Sequence, residues 1–175
     1  MLILVLGASA SGKSEFAEKV CVNIAAKPLY IATMQPFGGE AAERIARHQL
    51  LRQGKGFAAQ EQYTDIGMLI PEKQQDTALL ECLSNLLANE LYSAKLAPEK
   101  AIAKVCDGLE ELQKRLRHLI IVSNAISFDG EAYAESTLAY MQALGQLNCA
   151  IAKKANYVVE VVSGIPLYHK GEKRW

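Results

Sequence analysis

The chain carries no excess of charge: over 175 residues, 19 lysines and arginines balance 19 aspartates and glutamates. It therefore presents no overall field that would favour nucleic acid or an anionic membrane surface, and small-molecule chemistry fits better. Cysteine is scarce, with four residues at Cys21, Cys82, Cys106 and Cys149 and no Cys-x-x-Cys pair. That pattern predicts reduced core residues. Of the histidines, His118 precedes an apolar run and His169 lies in the polar stretch Tyr168-His169-Lys170-Gly171. Neither has metal-ligand company, so both are expected to be structural or exposed. Long hydrophobic runs are missing as well. The amino-terminal one stops at Gly7, too short for a signal peptide or a membrane span, and no basic leader precedes it, which predicts a cytoplasmic protein. Without a repeat, linker or low-complexity tract, the length predicts a single domain over residues 1–175, large enough for a central sheet covered on both faces. Trp175, as the last residue, is expected to be disordered.

What is present is a phosphate-binding pattern. Residues Gly7-Ala8-Ser9-Ala10-Ser11-Gly12-Lys13-Ser14 form a complete G-x-x-x-x-G-K-S motif directly after the apolar run Leu2 to Leu6. The run reads as a buried strand and Ser14 to Ala26 as an amphipathic helix, the order that a phosphate loop requires. Glycine lets the backbone wrap closely around phosphates, and successive amide groups and the helix amino terminus supply positive potential. Lys13 can reach the outer phosphates, and Ser14 can place its hydroxyl on a magnesium ion. An ordinary glycine turn is the bland alternative, and this pattern rarely meets that position by chance.

Strand-like runs recur at Leu2 to Leu6, Leu29 to Ala32, Ala78 to Glu81, Leu119 to Ser123 and Tyr157 to Val162. A helix opening at Pro98 places Ile102, Val105, Leu109, Leu112 and Leu116 on one face, and another runs from about Glu131 to Lys154. The alternation predicts an α/β fold, a parallel sheet wound with right-handed crossovers and flanked by helices. The irregular stretches Met34 to Glu40, Gln53 to Phe57 and Asn124 to Gly130 follow or flank the strands, where function usually sits.

A phosphate loop also needs an acid for magnesium, and Glu81, ending the run Ala78-Leu79-Leu80, is the candidate; the competing assignment is a capping or surface glutamate. Arg44, His48 and Arg52 are spaced four apart, which on a helix puts two guanidinium groups and an imidazole on one face suited to polyphosphate. A neutral imidazole is also a competent nucleophile at phosphorus. Spacing alone leaves His48 open between that role and an ordinary structural one.

These residues resemble the bifunctional adenosylcobinamide kinase and adenosylcobinamide-phosphate guanylyltransferase family of cobalamin biosynthesis. The resemblance covers the phosphate loop, Tyr30-Ile31-Ala32-Thr33, the Glu40, Arg44-Ile45, His48, Arg52 spacing, and Phe57 to Glu61, where the family usually has tryptophan and glutamate. It continues through Asp76, Leu79-Leu80-Glu81-Cys82, Asn89, Val122-Ser123-Asn124, Leu144-Gly145, Asn148 and Val161-Val162-Ser163-Gly164. It implies a P-loop NTPase of recombinase type, using ATP or GTP with Mg2+ on a corrinoid substrate, with Thr33, Arg44, Arg52 and Glu61 joining the phosphate loop in nucleotide binding. It implies catalytic roles for Lys13, Glu81 and His48: first phosphorylation of the aminopropanol hydroxyl, then attack of a histidine, by position His48, on the α-phosphorus of GTP to give a guanylyl-histidine. It also implies a homo-oligomer, commonly a trimer.

Departures from the family pattern gather late in the chain. Ala125 and Ser127 stand where the family has glutamate and glycine, Met141 and Gln142 stand for an Arg-Asp pair, and Gly39 and Ala41 replace an acidic residue and a methionine. Three readings stay open: a working bifunctional enzyme or a relative that kept one activity, a divergent homologue that binds nucleotide for regulation or assembly, and a plain small-molecule kinase using Lys13, Ser14 and Glu81.

Overall fold

The computed structural model describes residues 1–37, 39–126, 132–173 and 175, leaving aside the side chains at positions 39–41, 44 and 51. Seven strands form one sheet in the order β3-β2-β4-β5-β1-β6-β7. They are β1 (Leu2–Gly7), β2 (Leu29–Ala32), β3 (Ala58–Glu61), β4 (Thr77–Glu81), β5 (His118–Asn124), β6 (Tyr157–Val162) and β7 (Ile165–Lys170). Neighbours pair in parallel throughout, apart from the antiparallel hairpin of β6 with β7. The helices are α1 (Lys13–Ile24), α2 (Gly39–Arg52), α3 (Leu83–Ala88), α4 (Pro98–Lys114) and α5 (Glu135–Lys154), with a 3-10 turn at Ile66–Met68 and a wide π-type turn at Asn89–Ser93.

Side chains alternate across a strand, so each apolar run divides between two cores. Ile3, Val5, Tyr30, Leu79, Ile120, Val122 and Val161 meet Ala17, Val20 and Cys21 of α1. Leu2, Leu4, Leu29, Ile31, Leu80, Leu119 and Ile121 face α3, α4 and α5. Burial on both faces explains why these strands read as unbroken hydrophobic runs. Parallel pairing puts the carboxyl ends of β1, β2, β4 and β5 along one edge, where Gly7, Thr33, Glu81 and Asn124 lie.

Several expectations need correction. Helix α1 spans Lys13–Ile24, and α5 begins at Glu135 because residues 132–134 are irregular; residue 131 lies outside those described. Strand β3 is Ala-Ala-Gln-Glu and largely exposed, so it lacks the β-branched signal of a strand, and its edge position comes from pairing with β2. Strand β7 also escaped detection, because Pro166 interrupts its run, as edge strands allow. Cys149 is exposed, whereas Cys21 is buried; its position on α5 faces away from the core. The Trp175 ring packs edge-on against Tyr157 at 4.9 Å and its carbonyl accepts from the Tyr168 hydroxyl, so it is tied down. His169 pairs with Glu160 at 2.8 Å, and His118 opens β5.

Helix α4 lies directly on the 3-10 turn. A Cβ on Gly108 would come within 2.7 Å of the Ile66 side chain and 2.9 Å of the Gly67 backbone, whereas one on Gly145 in α5 would meet nothing within 4 Å. Helix propensity alone favours alanine over glycine by about 0.5–1 kcal/mol. Gly145→Ala should therefore raise the unfolding midpoint. Gly108→Ala should lower stability by about 1–3 kcal/mol, because overpacking against backbone outweighs propensity. Thermal denaturation of the two variants checks this, and equal shifts would rule out the close packing.

Candidate functional site

Strand β1 sits inside the sheet between β5 and β6, with Gly7 opposite Asn124 of β5. Its chain must then turn sharply into α1 while leaving its amides pointing inward. Two glycines allow this. A Cβ on Gly7 would lie 2.3 Å from the Ser11 Oγ and 2.7 Å from the Val161 carbonyl. Gly12 adopts φ 91°, ψ 4° at the start of α1, a left-handed conformation that costs glycine little. The far side of the loop is held by the β6–β7 turn: the Gly164 amide donates to the Ser11 carbonyl at 2.8 Å. Ala8, Ser9 and Ala10 form its exposed crown. Lys13 is largely buried, and its Nζ donates to the Ala8 carbonyl at 3.0 Å, closing the loop into a ring of donors. With the α1 amino terminus behind it, this cradle has the positive potential that phosphates require.

Glu81 reaches this loop from the carboxyl end of β4. Its Oε1 accepts from the Ser14 hydroxyl at 2.7 Å, and its Oε2 is sealed from solvent without a protein partner. The carboxyl pKa is pushed up to about 7, first by desolvation, against the lowering effects of the Ser14 hydrogen bond and the nearby Lys13 charge. A buried acceptor left unpaired beside a serine hydroxyl fits a cation or its bound water. Among the described residues no group of three His, Cys, Asp or Glu could hold a metal, so the remaining positions of a cation here would fall to phosphate oxygens and water.

Thr33 is fully buried, and its hydroxyl both accepts from the Cys82 amide and donates to the Cys82 carbonyl, at 2.8 Å each. Its side chain thus ties the ends of β2 and β4 together. Asn89 donates to the carbonyls of Thr33 and Tyr63, both at 2.8 Å. Burial, followed by the Glu81 charge, pushes the Cys82 thiol pKa up, which keeps that cysteine protonated. Glu61, at the exposed end of β3, accepts from the Tyr63 hydroxyl at 2.5 Å.

All three cationic candidates lie on α2. The Arg52 guanidinium sits 3.5 Å from the centre of the Tyr30 ring, whose edge is met by Phe57 at 6.0 Å between centroids. Lys55 follows with an ion pair to the buried Glu18 of α1 at 2.5 Å. The carboxyl end of α2 is thereby fastened to the α1 side of the sheet, and the Arg52 charge acts on Glu81. His48 is half-buried one turn earlier. The Arg44 side chain, the Glu40 side chain and Ser127 lie outside the described residues. A groove of about 590 Å³ beside α2, lined by Ala46, Gln49, Arg52, Gln53, Gly56 and Phe57, includes none of the phosphate loop.

Sequence reasoning missed a polar network beside the loop. Asn124 donates to the Ser84 Oγ at 2.8 Å, the Tyr140 hydroxyl donates to the Ser84 carbonyl at 3.1 Å, and Asn148 joins the Asn124 carbonyl to the Ser123 hydroxyl. Asn124 and Asn148 stood out only through the family resemblance, because isolated polar residues give no periodic signal. The Ala125 amide donates to the Gly7 carbonyl, and its methyl leaves no charge there.

Residues 3–168 match the sequence profile of the family described as cobinamide kinase / cobinamide phosphate guanyltransferase. The bifunctional adenosylcobalamin biosynthesis protein CobP of Pseudomonas aeruginosa is 32% identical over 173 residues, with 97% of each chain covered. The corresponding CobU protein of Escherichia coli is 31% identical over 182 residues, covering 94% of this chain and 97% of the relative. Among solved structures, the flagellar accessory protein FlaH of Methanocaldococcus jannaschii superposes with a TM-score of 0.50 at 13% identity, over 98% of this chain and 78% of that one. At that identity the likeness shows the shared P-loop NTPase fold alone. The profile match along nearly the whole length, with relatives aligned end to end, shows that the chain belongs to the cobinamide kinase / cobinamide phosphate guanyltransferase family.

Proposed function

We propose that this chain, acting as one domain over residues 1–175, phosphorylates the aminopropanol hydroxyl of adenosylcobinamide and then transfers GMP from GTP to the resulting phosphate. The observation that carries the reading is the Ser14–Glu81 contact at the mouth of a complete phosphate loop, in a member of this family. Phosphoryl transfer asks the protein mainly for positioning and charge stabilisation. Gly7 to Ser14 would cradle the phosphates of ATP or GTP, with Lys13 leaving the Ala8 carbonyl for an outer phosphate oxygen. Ser14 and Glu81 would hold Mg2+, which when bound supplies charge neutralisation between phosphates. For guanylyl transfer, a neutral His48 nitrogen attacks the α-phosphorus, the bond to the β-phosphate oxygen breaks, and pyrophosphate leaves toward Lys13. The substrate phosphate then displaces His48 from phosphorus. Arg44 and Arg52 would offset charge near the α-phosphate, Glu61 would border the nucleotide, and the buried Thr33 would hold the segment that presents Glu81. We extend the reading to a cytoplasmic homotrimer by family resemblance. Ala125, Met141 and Gln142 favour a second reading, a relative that binds nucleotide and has lost guanylyl transfer.

Labelled GTP decides between them. With magnesium and GTP labelled at the α-phosphate, wild-type protein should retain acid-labile, alkali-stable label after denaturation, and His48→Ala should retain none. Absence of label in wild type that still binds GTP would leave the second reading. Lys13→Ala should lower phosphoryl transfer by about 10²–10³-fold with the fold intact by circular dichroism; unchanged turnover would remove the loop from the mechanism.

The Glu81 carboxyl gives a prediction with a defined sign. Its folded pKa of about 7 lies above the ordinary carboxyl value of 4.5, so folding disfavours the charged form, and its stability contribution is lost as pH rises through that window. Free of nucleotide and magnesium, Glu81→Gln should unfold at higher temperature than wild type at pH 8, by roughly 1–3 kcal/mol, and match it below about pH 4.5. The same variant should lose most of its magnesium dependence of nucleotide binding. Identical melting curves at pH 8 would show that the carboxyl is not dehydrated.

A further inference from the structure

On the kinase reading, the acceptor meets the nucleotide at the mouth of the phosphate loop, near the carboxyl ends of β2, β4 and β5. Three large apolar side chains stand uncovered on segments that follow these strands: Phe37 after β2 at 75% exposed, Tyr92 in the turn after α3 at 55% and Ile126 after β5 at 42%.

Their supports are specific. The Tyr92 hydroxyl donates to the Ser136 carbonyl at 3.2 Å, and its ring lies 6.5 Å from that of Tyr140, tilted by 39°. The ring is thus oriented by protein contacts while its outer face stays open. Next to it, the Ser93 Oγ donates to the Gln35 Oε1 at 3.2 Å, which joins the turn carrying Tyr92 to the loop carrying Phe37. Toward the sheet, Tyr140 reaches the Ser84 carbonyl and Asn124 reaches the Ser84 hydroxyl. Asn124 pairs in register with Gly7, the first residue of the phosphate loop. A chain of contacts therefore links Tyr92 through Tyr140 and Ser84 to Asn124, beside the first residue of the phosphate loop.

We infer that Phe37, Tyr92 and Ile126 form a shelf that seats the apolar body of the acceptor, a bulky corrinoid alcohol, while the half-buried Asn124, held from behind by Ser84, meets its polar side arms and its hydroxyl points to the phosphate loop. The inference rests on the kinase reading above. It goes beyond that reading in naming the acceptor subsite. Pre-oriented aromatic faces lose little side-chain freedom on binding, so an uncovered Tyr92 ring is suited to a large flat ligand.

Equilibrium dialysis of cobinamide against the full chain, loaded with magnesium and a non-hydrolysable GTP analogue, tests the subsite directly through corrinoid absorbance. Wild type, Phe37→Ala, Tyr92→Ala and Tyr92→Phe are compared, with nucleotide affinity in the same samples as the folding control and phosphorylation of adenosylcobinamide measured in parallel. Tyr92→Ala and Phe37→Ala should each weaken cobinamide binding by roughly 5–20-fold, and Tyr92→Phe, which keeps the ring, should stay within about threefold of wild type. If all four proteins bind cobinamide equally and wild type phosphorylates it, the shelf is wrong and the kinase reading stands. If wild type binds cobinamide in a Tyr92-dependent way without phosphorylating it, the shelf stands and the kinase reading falls. If wild type neither binds nor phosphorylates the corrinoid, both are overturned.

Discussion

Everything at the site hinges on one contact between distant segments, the hydrogen bond from the Ser14 hydroxyl to the Glu81 carboxyl. It joins the first turn of α1 to the end of β4, and it forms only if β4 reaches the same edge of the sheet as β1. The parallel register secures that: β5 lies between them, with Gly7 opposite Asn124 and Glu81 opposite Val122. The acid is held in a dehydrated position that raises its pKa to about 7. Such a carboxyl is costly to ionise in the free protein, and a cation beside it would favour the charged form.

The cationic helix shows how packing distributes charges that look equivalent in sequence. Arg52 is spaced from His48 as His48 is from Arg44, yet its guanidinium lies on the Tyr30 ring. A stacked, partly dehydrated cation is fixed in place, and its field reaches Glu81. Together with Lys55 on Glu18, it fastens the carboxyl end of α2 and so determines where His48 stands relative to the sheet.

Thr33 carries a similar lesson. The family resemblance placed it at the nucleotide, and its hydroxyl is occupied on both sides by the Cys82 backbone. A buried hydroxyl without a partner would be costly, and the adjacent loop end supplies both partners at once. Its part in the site is to hold the segment that presents Glu81. Neither periodicity nor composition separates such a tie from a ligand contact.

The phosphate loop and the alternating α/β plan were legible in the residues alone. The loop is contiguous, so its chemistry is written in eight neighbouring residues, and strands buried on both faces leave an apolar run that local patterning registers. The two weakly apolar edge strands were not legible, because β3 and β7 owe their conformation to the strands they pair with. Folding in three dimensions was needed to select the carboxylate that meets Ser14 across 67 residues and the arginine that lies on an aromatic ring. It was needed as well to gather Asn124, Ser84 and Tyr140 into one network beside the loop. Those are contacts between segments far apart in the chain, whose distances depend on sheet order and register, and no local pattern of residues encodes either.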